Sequence, residues 1–389
     1  MYKIQTLNNI SEKGLMLFPK EGFHIGEKVT DPDGIIVRSF KMNDMELPVT
    51  LKGIARAGAG VNNIPVSRCT EKGIVVFNTP GANANSVKEL VLSALFLSTR
   101  HLYDAIDWVK GIAGKGDEVP KMVEKGKSQF TGPEIKGKKL GVIGLGAIGS
   151  MVANDAVALG MEVSGFDPYI SVEAAWGLSS SVKRAKSVDA LLADSDFITL
   201  HIPLVDGTKG FLNKERFSQM KKGAVVLNFA RGELVDTAAL KAAIGSETVA
   251  AYVTDFPNDD LLGQDKVIPI PHLGASTPEA EENCAVMAVK QLKDFLEKGN
   301  IVNSVNFPNC EMEMTGATRL VIANKNVPKM INQITTALAE QKINIAEMLN
   351  RHKDDVAYNI IDVEGVVKPE VIDKITKIEG VLMARLIGA

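Results

Sequence analysis

Short apolar runs alternate with turn-rich polar stretches over the first 80 residues: GIIVR at 34–38, GIARA at 53–57 and GIVVF at 73–77. Each is too short for a buried helix and follows a loop or helical stretch, which predicts a parallel α/β sheet. Over 86–108 the period becomes helical, with Val87, Leu90, Val91, Ala94, Leu95 and Leu97 on one wide apolar face. A polar stretch rich in glycine and lysine, 111–139, separates this helix from a second series of strands near 138–143, 162–166, 197–200, 224–227, 249–253 and 266–268. Such a series predicts a doubly wound parallel sheet of the Rossmann type. A second long helix at 278–298 carries Ala285, Val286, Val289, Leu292 and Phe295 on one face. Two long helices that bracket the second sheet predict a domain inserted into a flavodoxin-like first one.

The last seventy residues change character. Their order reads β (318–323), α (328–341), β (345–350), β (356–363), α (369–378), β (381–387), a ferredoxin-like βαββαβ unit. Pro328 and Pro369 suit the first helical position, and Ile331, Ile334 and Leu338 recur at helical spacing. The expected domains are therefore 1–95 with 280–305 returning to it, 96–279, a linker at 306–316, and 317–389.

The strongest local signal is KKLGVIGLGAIGSMVA at 138–153, where an apolar strand runs into Gly144, Gly146 and Gly149 and then a helix. Gly144 permits the tight turn, Gly146 lets a pyrophosphate approach the backbone, and Gly149 lets helix and strand pack closely. The helix start offers free amides and partial positive charge to phosphates. The next strand ends in Asp167, where a carboxylate bonds both hydroxyls of an adenosine ribose and repels a 2′-phosphate, so the expected cofactor is NAD rather than NADP.

Three downstream segments hold groups suited to acid, base and anion chemistry. VVLNFARGELVD at 225–236 delivers Arg231 to the end of a buried strand, where its fork matches a 2-hydroxy or 2-keto carboxylate; the alternative is an ion pair with Glu233 or Asp236. PIPHLGAST at 269–277 places His272 after a strand, and imidazole is suited to take a hydroxyl proton near neutral pH. DFPNDD at 255–260 is an acidic loop able to supply a carboxylate to that imidazole, or simply a solvated turn. His24, His101 and His352 read as surface residues, while His201, at the end of a strand in LHIPL, is expected on the cofactor side.

Composition narrows the class. With 389 residues the chain accommodates two or three domains, and a net charge of −3 argues against a general nucleic-acid or anionic-membrane binder. Cys69, Cys284 and Cys310 are odd in number and widely spaced, which suits a reducing, cytoplasmic setting and no metal site. No long uncharged apolar run and no signal-peptide core stand out.

IARAGAGVNNI at 54–64, NTPGANANSVKE at 78–89, GLGAIG, NFARGELVD and PHLGAST, in this order over about the first 305 residues, resemble the D-isomer-specific 2-hydroxyacid dehydrogenases. IIVRS at 35–39 and the C-terminal unit, which resembles an ACT domain, point within that family to members that oxidise 3-phosphoglycerate with NAD and so enter serine biosynthesis. Sister activities on glycerate or lactate, and a non-catalytic NAD(H)-sensing protein, are the alternatives. The resemblance implies Arg231 and His272 as catalytic residues and places Asp259 at the position of the family's histidine-coupled glutamate, with Asp260 behind it. Thr254 stands at the position of the nicotinamide-side aspartate, a role that Asp255 is placed to fill. Ala147, Ile148, His201, Pro203, Thr208, Phe229, Ala230 and Gly274 follow as cofactor contacts. Arg38 and Arg56 are implied for the substrate phosphate, with Arg100 reaching across a dimer interface, and the main chain of Ala59, Gly60 and Val61 for the carboxylate. A homodimer or homotetramer is expected. In the C-terminal unit Asn326 and Asn344 are candidate ligands for serine or another amino-acid effector, but Lys329 occupies the position at which serine-binding ACT domains carry glycine. A purely structural dimerisation module is the other reading.

Overall fold

The computed structural model describes residues 1–315 and 318–388, so the boundary expected at 316/317 and the last residue of the C-terminal unit lie outside the described residues. The chain divides into two units, one formed by Met1–Ala82 with Glu281–Ala389 and one by Asn83–Ala280. The expected boundary near 95 falls inside the helix Ala84–Thr99, whose buried Val87, Val91, Ala94 and Leu95 belong to the core of the second unit.

In the first unit five parallel strands run in the order Phe23–Gly26, Tyr2–Leu7, Gly34–Val37, Gly53–Arg56, Val75–Phe77. Three of them, Gly34–Val37, Gly53–Arg56 and Val75–Phe77, are almost wholly apolar and buried, as parallel strands covered on both faces must be. The C-terminal βαββαβ unit forms a four-stranded antiparallel sheet, ordered Ile345–Lys353, Val356–Val363, Thr318–Lys325, Val381–Ile387. One face carries its own helices over Leu320, Ile322, Ile361 and Val363. The other face does not stand free: Val321, Ala323, Val356, Tyr358, Ile360 and Ile387 share one core with Leu292, Phe295 and Leu296 of the helix Pro278–Lys298. Each buried Val, Leu, Ile or Phe among them contributes about 1.5–3 kcal/mol. The Tyr358 hydroxyl donates to the Gly299 carbonyl at 2.8 Å and Lys353 Nζ to the Val305 carbonyl at 2.8 Å.

Two expected helices are corrected. The helical period over 86–108 is broken at His101, whose φ of 48° is left-handed, giving Ala84–Thr99 and Leu102–Gly111. Pro328 is not a first helical residue, because Lys329 takes φ 71° and the helix starts only at Met330. Pro369 does occupy the start of its helix.

The second unit is a seven-stranded parallel sheet in the order Val267–Pro269, Val249–Thr254, Ala224–Asn228, Phe197–Leu200, Lys139–Ile143, Glu162–Phe166, Lys183–Arg184. The strand order reverses between Lys139–Ile143 and Phe197–Leu200, the switch point at which such sheets gather ligands. All three cysteines are buried thiols. Among the described residues no helix is long and apolar enough to cross a membrane, and no group of three His, Cys, Asp or Glu side chains is placed to hold a metal ion.

Candidate active site

The glycine turn leaves the strand Lys139–Ile143 at the switch point. Gly144 has φ +90°, and a Cβ there would meet the His201 carbonyl at 2.6 Å, so no other residue fits both the angle and the space. A Cβ on Gly149 would collide with the Gly144 carbonyl, whereas one on Gly146 meets no protein atom within 4 Å. The backbone at Gly146 is thus open to a ligand, just where Ala147 and Ile148 begin the helix Ala147–Ala158 and its first amides lack helical acceptors. Asp167 follows the strand Glu162–Phe166; its Oδ2 accepts from the Leu145 amide and its Oδ1 from the Tyr169 amide, both at 2.8 Å. Those two bonds orient the carboxylate and leave about two of its roughly four acceptor positions for a ribose. Amides, open backbone and acceptor together fit NAD.

Across the switch point the His201 amide donates to the Ile143 carbonyl at 2.7 Å, and its half-buried ring lies 2.9 Å from the Thr199 hydroxyl. Burial pushes this imidazole down to about 3, so it stays neutral at working pH. The loop beyond is closed by Thr208, whose hydroxyl donates to the Pro203 carbonyl at 2.6 Å and accepts from the Val205 amide.

Arg231 and His272 come together around a residue that the sequence reading passed over. The Phe256 ring lies 4.5 Å from the His272 ring, and the Arg231 guanidinium carbon is 5.7 Å from the centre of the same Phe256 ring. Phe256 stands in the acidic loop DFPNDD, and nothing in the one-dimensional pattern distinguishes a supporting ring from a core one. Asn228, fully buried, holds the strand end: its Nδ2 donates to the Arg231 carbonyl at 2.9 Å and to Tyr252 Oη at 3.1 Å, and its Oδ1 accepts from the Ala230 amide. Phe229 is buried beside them. Asp236, an alternative partner for Arg231, instead caps the helix Thr237–Gly245 by accepting from the Ala239 amide.

The acidic loop divides. Asp259 and Asp260 are exposed, and Asp260 pairs with Lys241 at 3.4 Å. Asp255 is only 2% exposed, and its Oδ2 accepts from the Gly274 amide at 3.3 Å. Burial pushes the Asp255 carboxyl up, while the charge of His272, the Gly274 amide and Arg231 pull the other way. Thr254, fully buried, gives its hydroxyl to the Asn228 carbonyl.

In the first unit Arg38 and Arg56 stand at the ends of adjacent parallel strands. Val37 and Arg56 are register partners, and Arg56 Nε donates to the Arg38 carbonyl at 3.2 Å. Arg38 also pairs with Glu281 at 2.6 Å. Gly58, with φ +149°, is packed so that any side chain would displace the Arg56 guanidinium. Its amide donates to the Thr79 hydroxyl at 2.7 Å, and Asn78 Nδ2 donates to the Ala59 carbonyl, which sets the loop through Gly60 and Val61. Arg100 follows the helix Ala84–Thr99 in the second unit, whereas Arg38 and Arg56 belong to the first.

Asn326 and Asn344 are not brought together within one chain. The Asn326 amide and side chain bond the Asp355 and Asp354 carbonyls at the hairpin end of the small sheet, whereas Asn344 bonds Glu364 at the opposite end.

Residues 92–274 match the model of the D-isomer specific 2-hydroxyacid dehydrogenase, NAD binding domain. The chain is 34% identical to a D-3-phosphoglycerate dehydrogenase of Methanocaldococcus jannaschii over 92% of this chain and 68% of that one. The chain belongs to the D-isomer-specific 2-hydroxyacid dehydrogenase family. Within this family it is also 36% identical to a hydroxypyruvate reductase of Thermotoga maritima, over 70% of this chain and 86% of that one. Of several longer relatives it spans only 50–60%. The NAD-bound 3-phosphoglycerate dehydrogenase structure from Entamoeba histolytica superposes with a TM-score of 0.61 at 26% identity, covering 78% of this chain and 98% of that one. The second unit is the family's NAD-binding domain, and the chain is an oxidoreductase of the family's class acting on a 2-hydroxy acid.

Proposed function

We propose that this dehydrogenase oxidises 3-phosphoglycerate to 3-phosphohydroxypyruvate, the step that commits carbon to serine. The observation that carries the reading is the pair Arg38 and Arg56, set on neighbouring strand ends and tied by the Arg56 Nε to Arg38 carbonyl bond. Two guanidinium groups at one sheet edge suit a phosphate dianion, which a lactate-like acid lacks. Arg231 binds the substrate carboxylate and holds the reacting carbon in place. His272 takes the hydroxyl proton on an imidazole nitrogen as the C–H bond breaks and releases it to water; in the reverse direction it delivers the proton to the carbonyl oxygen as hydride adds to the carbon. Bound NAD supplies the acceptor for the hydride. The assembly included in this proposal is a homodimer or homotetramer, and an amino-acid effector held by Asn326 and Asn344 requires two copies, since one chain keeps them at opposite ends of its sheet.

Turnover of 3-phosphoglycerate, D-glycerate and D-lactate tests the substrate. The expected result is a kcat/KM for 3-phosphoglycerate at least 100-fold above the others, lost selectively in Arg56→Ala; equal values for the phosphorylated and unphosphorylated acids refute it. The Arg38–Glu281 ion pair favours a second reading, an unphosphorylated hydroxy acid, because it already neutralises one of the two cations. His272→Ala is expected to lower kcat by 100-fold or more, on the order of the contribution of a general base. A loss below tenfold would remove His272 from the role of proton carrier.

A further inference from the structure

A carboxylate is already set on one of the two arginines at the sheet edge of the first unit. Arg38 Nη2 lies 2.6 Å from Oε1 of Glu281. The main chain is fixed on both sides of this pair. The Arg38 carbonyl accepts from Arg56 Nε at 3.2 Å and from Asn63 Nδ2 at 3.3 Å, which holds the strand end. Glu281 stands in the first turn of the helix Pro278–Lys298, a place that favours an acidic side chain, and the residues after it are locked into the first unit. Glu282 pairs with Lys13 at 2.6 Å, Cys284 and Ala285 are buried, and a Cβ on Gly14 would strike the Ala285 backbone at 2.7 Å. The pair therefore opens by side-chain rotation rather than by movement of the helix or strand. Rotation is available, because the Arg38 and Glu281 side chains are 37% and 43% exposed and an ion pair that open to water is held weakly.

A phosphate arriving at Arg38 meets a guanidinium that already has an anionic partner, and it meets the charge of that partner as well. A phosphate monoester carries about 1.5–2 negative charges and three acceptor oxygens, against one charge and two oxygens on a carboxylate, so it can take the guanidinium over. A like charge then remains beside it. A neutral distal hydroxyl, as in glycerate, has no such competitor to displace. We infer that Glu281 is a specificity-determining residue: its carboxylate competes with the distal phosphate of the substrate for Arg38 and so limits the preference for phosphorylated over unphosphorylated 2-hydroxy acids. The inference rests on the reading of Arg38 and Arg56 as the phosphate subsite, and it deepens that reading by naming the group that sets how strongly the subsite discriminates.

A contact that only fastened the helix to the strand end would contribute to stability and would be indifferent to substrate charge. Glu281→Gln separates the two roles, since it keeps the size and an oxygen for Arg38 while removing the charge. Turnover of 3-phosphoglycerate and of D-glycerate, and binding of inorganic phosphate by calorimetry, are compared in wild type, Glu281→Gln, Arg38→Ala and the double variant. The expected result in Glu281→Gln is a ratio of kcat/KM for 3-phosphoglycerate over D-glycerate that rises about fivefold through KM, as for relief of one half-exposed charge. Inorganic phosphate binds tighter by a similar factor, and both gains vanish when Arg38 is alanine. A ratio and a phosphate affinity that each change by less than about twofold, whatever the Tm, overturn the inference in favour of a structural tie. A gain that persists without Arg38 overturns the competition for that guanidinium. The two readings fail separately. A wild type with no preference for 3-phosphoglycerate, in which Glu281→Gln still tightens phosphate binding through Arg38, refutes the proposed reaction and upholds the inference. A strong preference that Glu281→Gln leaves unaltered does the reverse.

Discussion

Replacement of Arg319 by methionine is the sharpest test of how the small sheet is joined to the first unit. Arg319 and Asp362 are both 0% exposed and form a two-point pair, Nε to Oδ1 at 2.6 Å and Nη2 to Oδ2 at 2.9 Å. The same guanidinium also donates to the carbonyls of Lys298, Met312 and Glu313 at 3.0, 2.9 and 2.8 Å, so one side chain ties the small sheet to the end of the helix Pro278–Lys298 and to the connecting segment. Removing one member of a buried pair costs about 3–5 kcal/mol, because the other charge is left unpaired. Three orphaned carbonyls push the figure upward, whereas the Thr315 amide and hydroxyl, which still donate to Asp362, pull it back. About 4 kcal/mol corresponds to a fall in Tm of roughly 8–16 °C for a unit of this size. Calorimetry should show that fall, and hydrogen exchange should place the loss in the strands Thr318–Lys325 and Val356–Val363. A decrease under about 2 °C would refute the reasoning. Arg319→Met combined with Asp362→Leu should recover part of the loss, since an apolar pair of similar size carries no desolvation penalty. Burial alone would raise the Asp362 carboxyl, but the Arg319 bond and charge outweigh it and hold the group below its ordinary value. Its stabilisation is therefore complete above the unfolded carboxylate pKa of about 3.9 and is lost as pH falls through the lower folded value.

Two further outcomes are expected. Asp167→Ala should weaken NAD binding, measured by calorimetry, by at least tenfold and reduce discrimination against NADP, since the carboxylate is what repels the 2′-phosphate; equal affinities in variant and wild type would show that the ribose is held elsewhere. His201, pushed down to about 3 by burial, binds its proton in the unfolded chain below about 6.5 but not in the folded one. Stability from this site is thus complete above pH 6.5 and declines as pH falls toward 3, so the Tm of His201→Asn should depend less on pH between 7.5 and 5 than that of wild type; parallel slopes would contradict the assignment.

The parts of this protein legible in one dimension are those where a local backbone demand selects the residue. Gly144 and Gly149 are needed by a turn angle and by a carbonyl that a Cβ would strike, and Asp167 follows at a distance set by one βαβ unit, so cofactor class could be read from spacing. Arg231 and His272 were visible as chemistry-bearing residues at strand ends. Their mutual support by Phe256 was not, because an aromatic residue after a strand carries no mark of what it will touch. The helix break at His101 and the late start at Met330 were hidden for a related reason: a non-glycine residue with positive φ is imposed by surrounding packing and has no propensity signature.

By itself the sequence determined the class of each sheet, through short apolar runs, a period of 3.6 in the helices and the βαββαβ order at the end, and the NAD-binding fold, through glycines and an acid at set intervals; it did not show the strands Tyr2–Leu7, Phe23–Gly26 and Lys183–Arg184. Only the tertiary structure decided which aspartate of DFPNDD is buried, with its carboxylate on the Gly274 amide, and that the terminal βαββαβ unit shares its core with the first unit. Both depend on register between elements distant in sequence, Thr254 opposite Pro269 and Tyr358 against Phe295 and Leu296, and a side chain's neighbours across such a register are chosen by packing that no local pattern records.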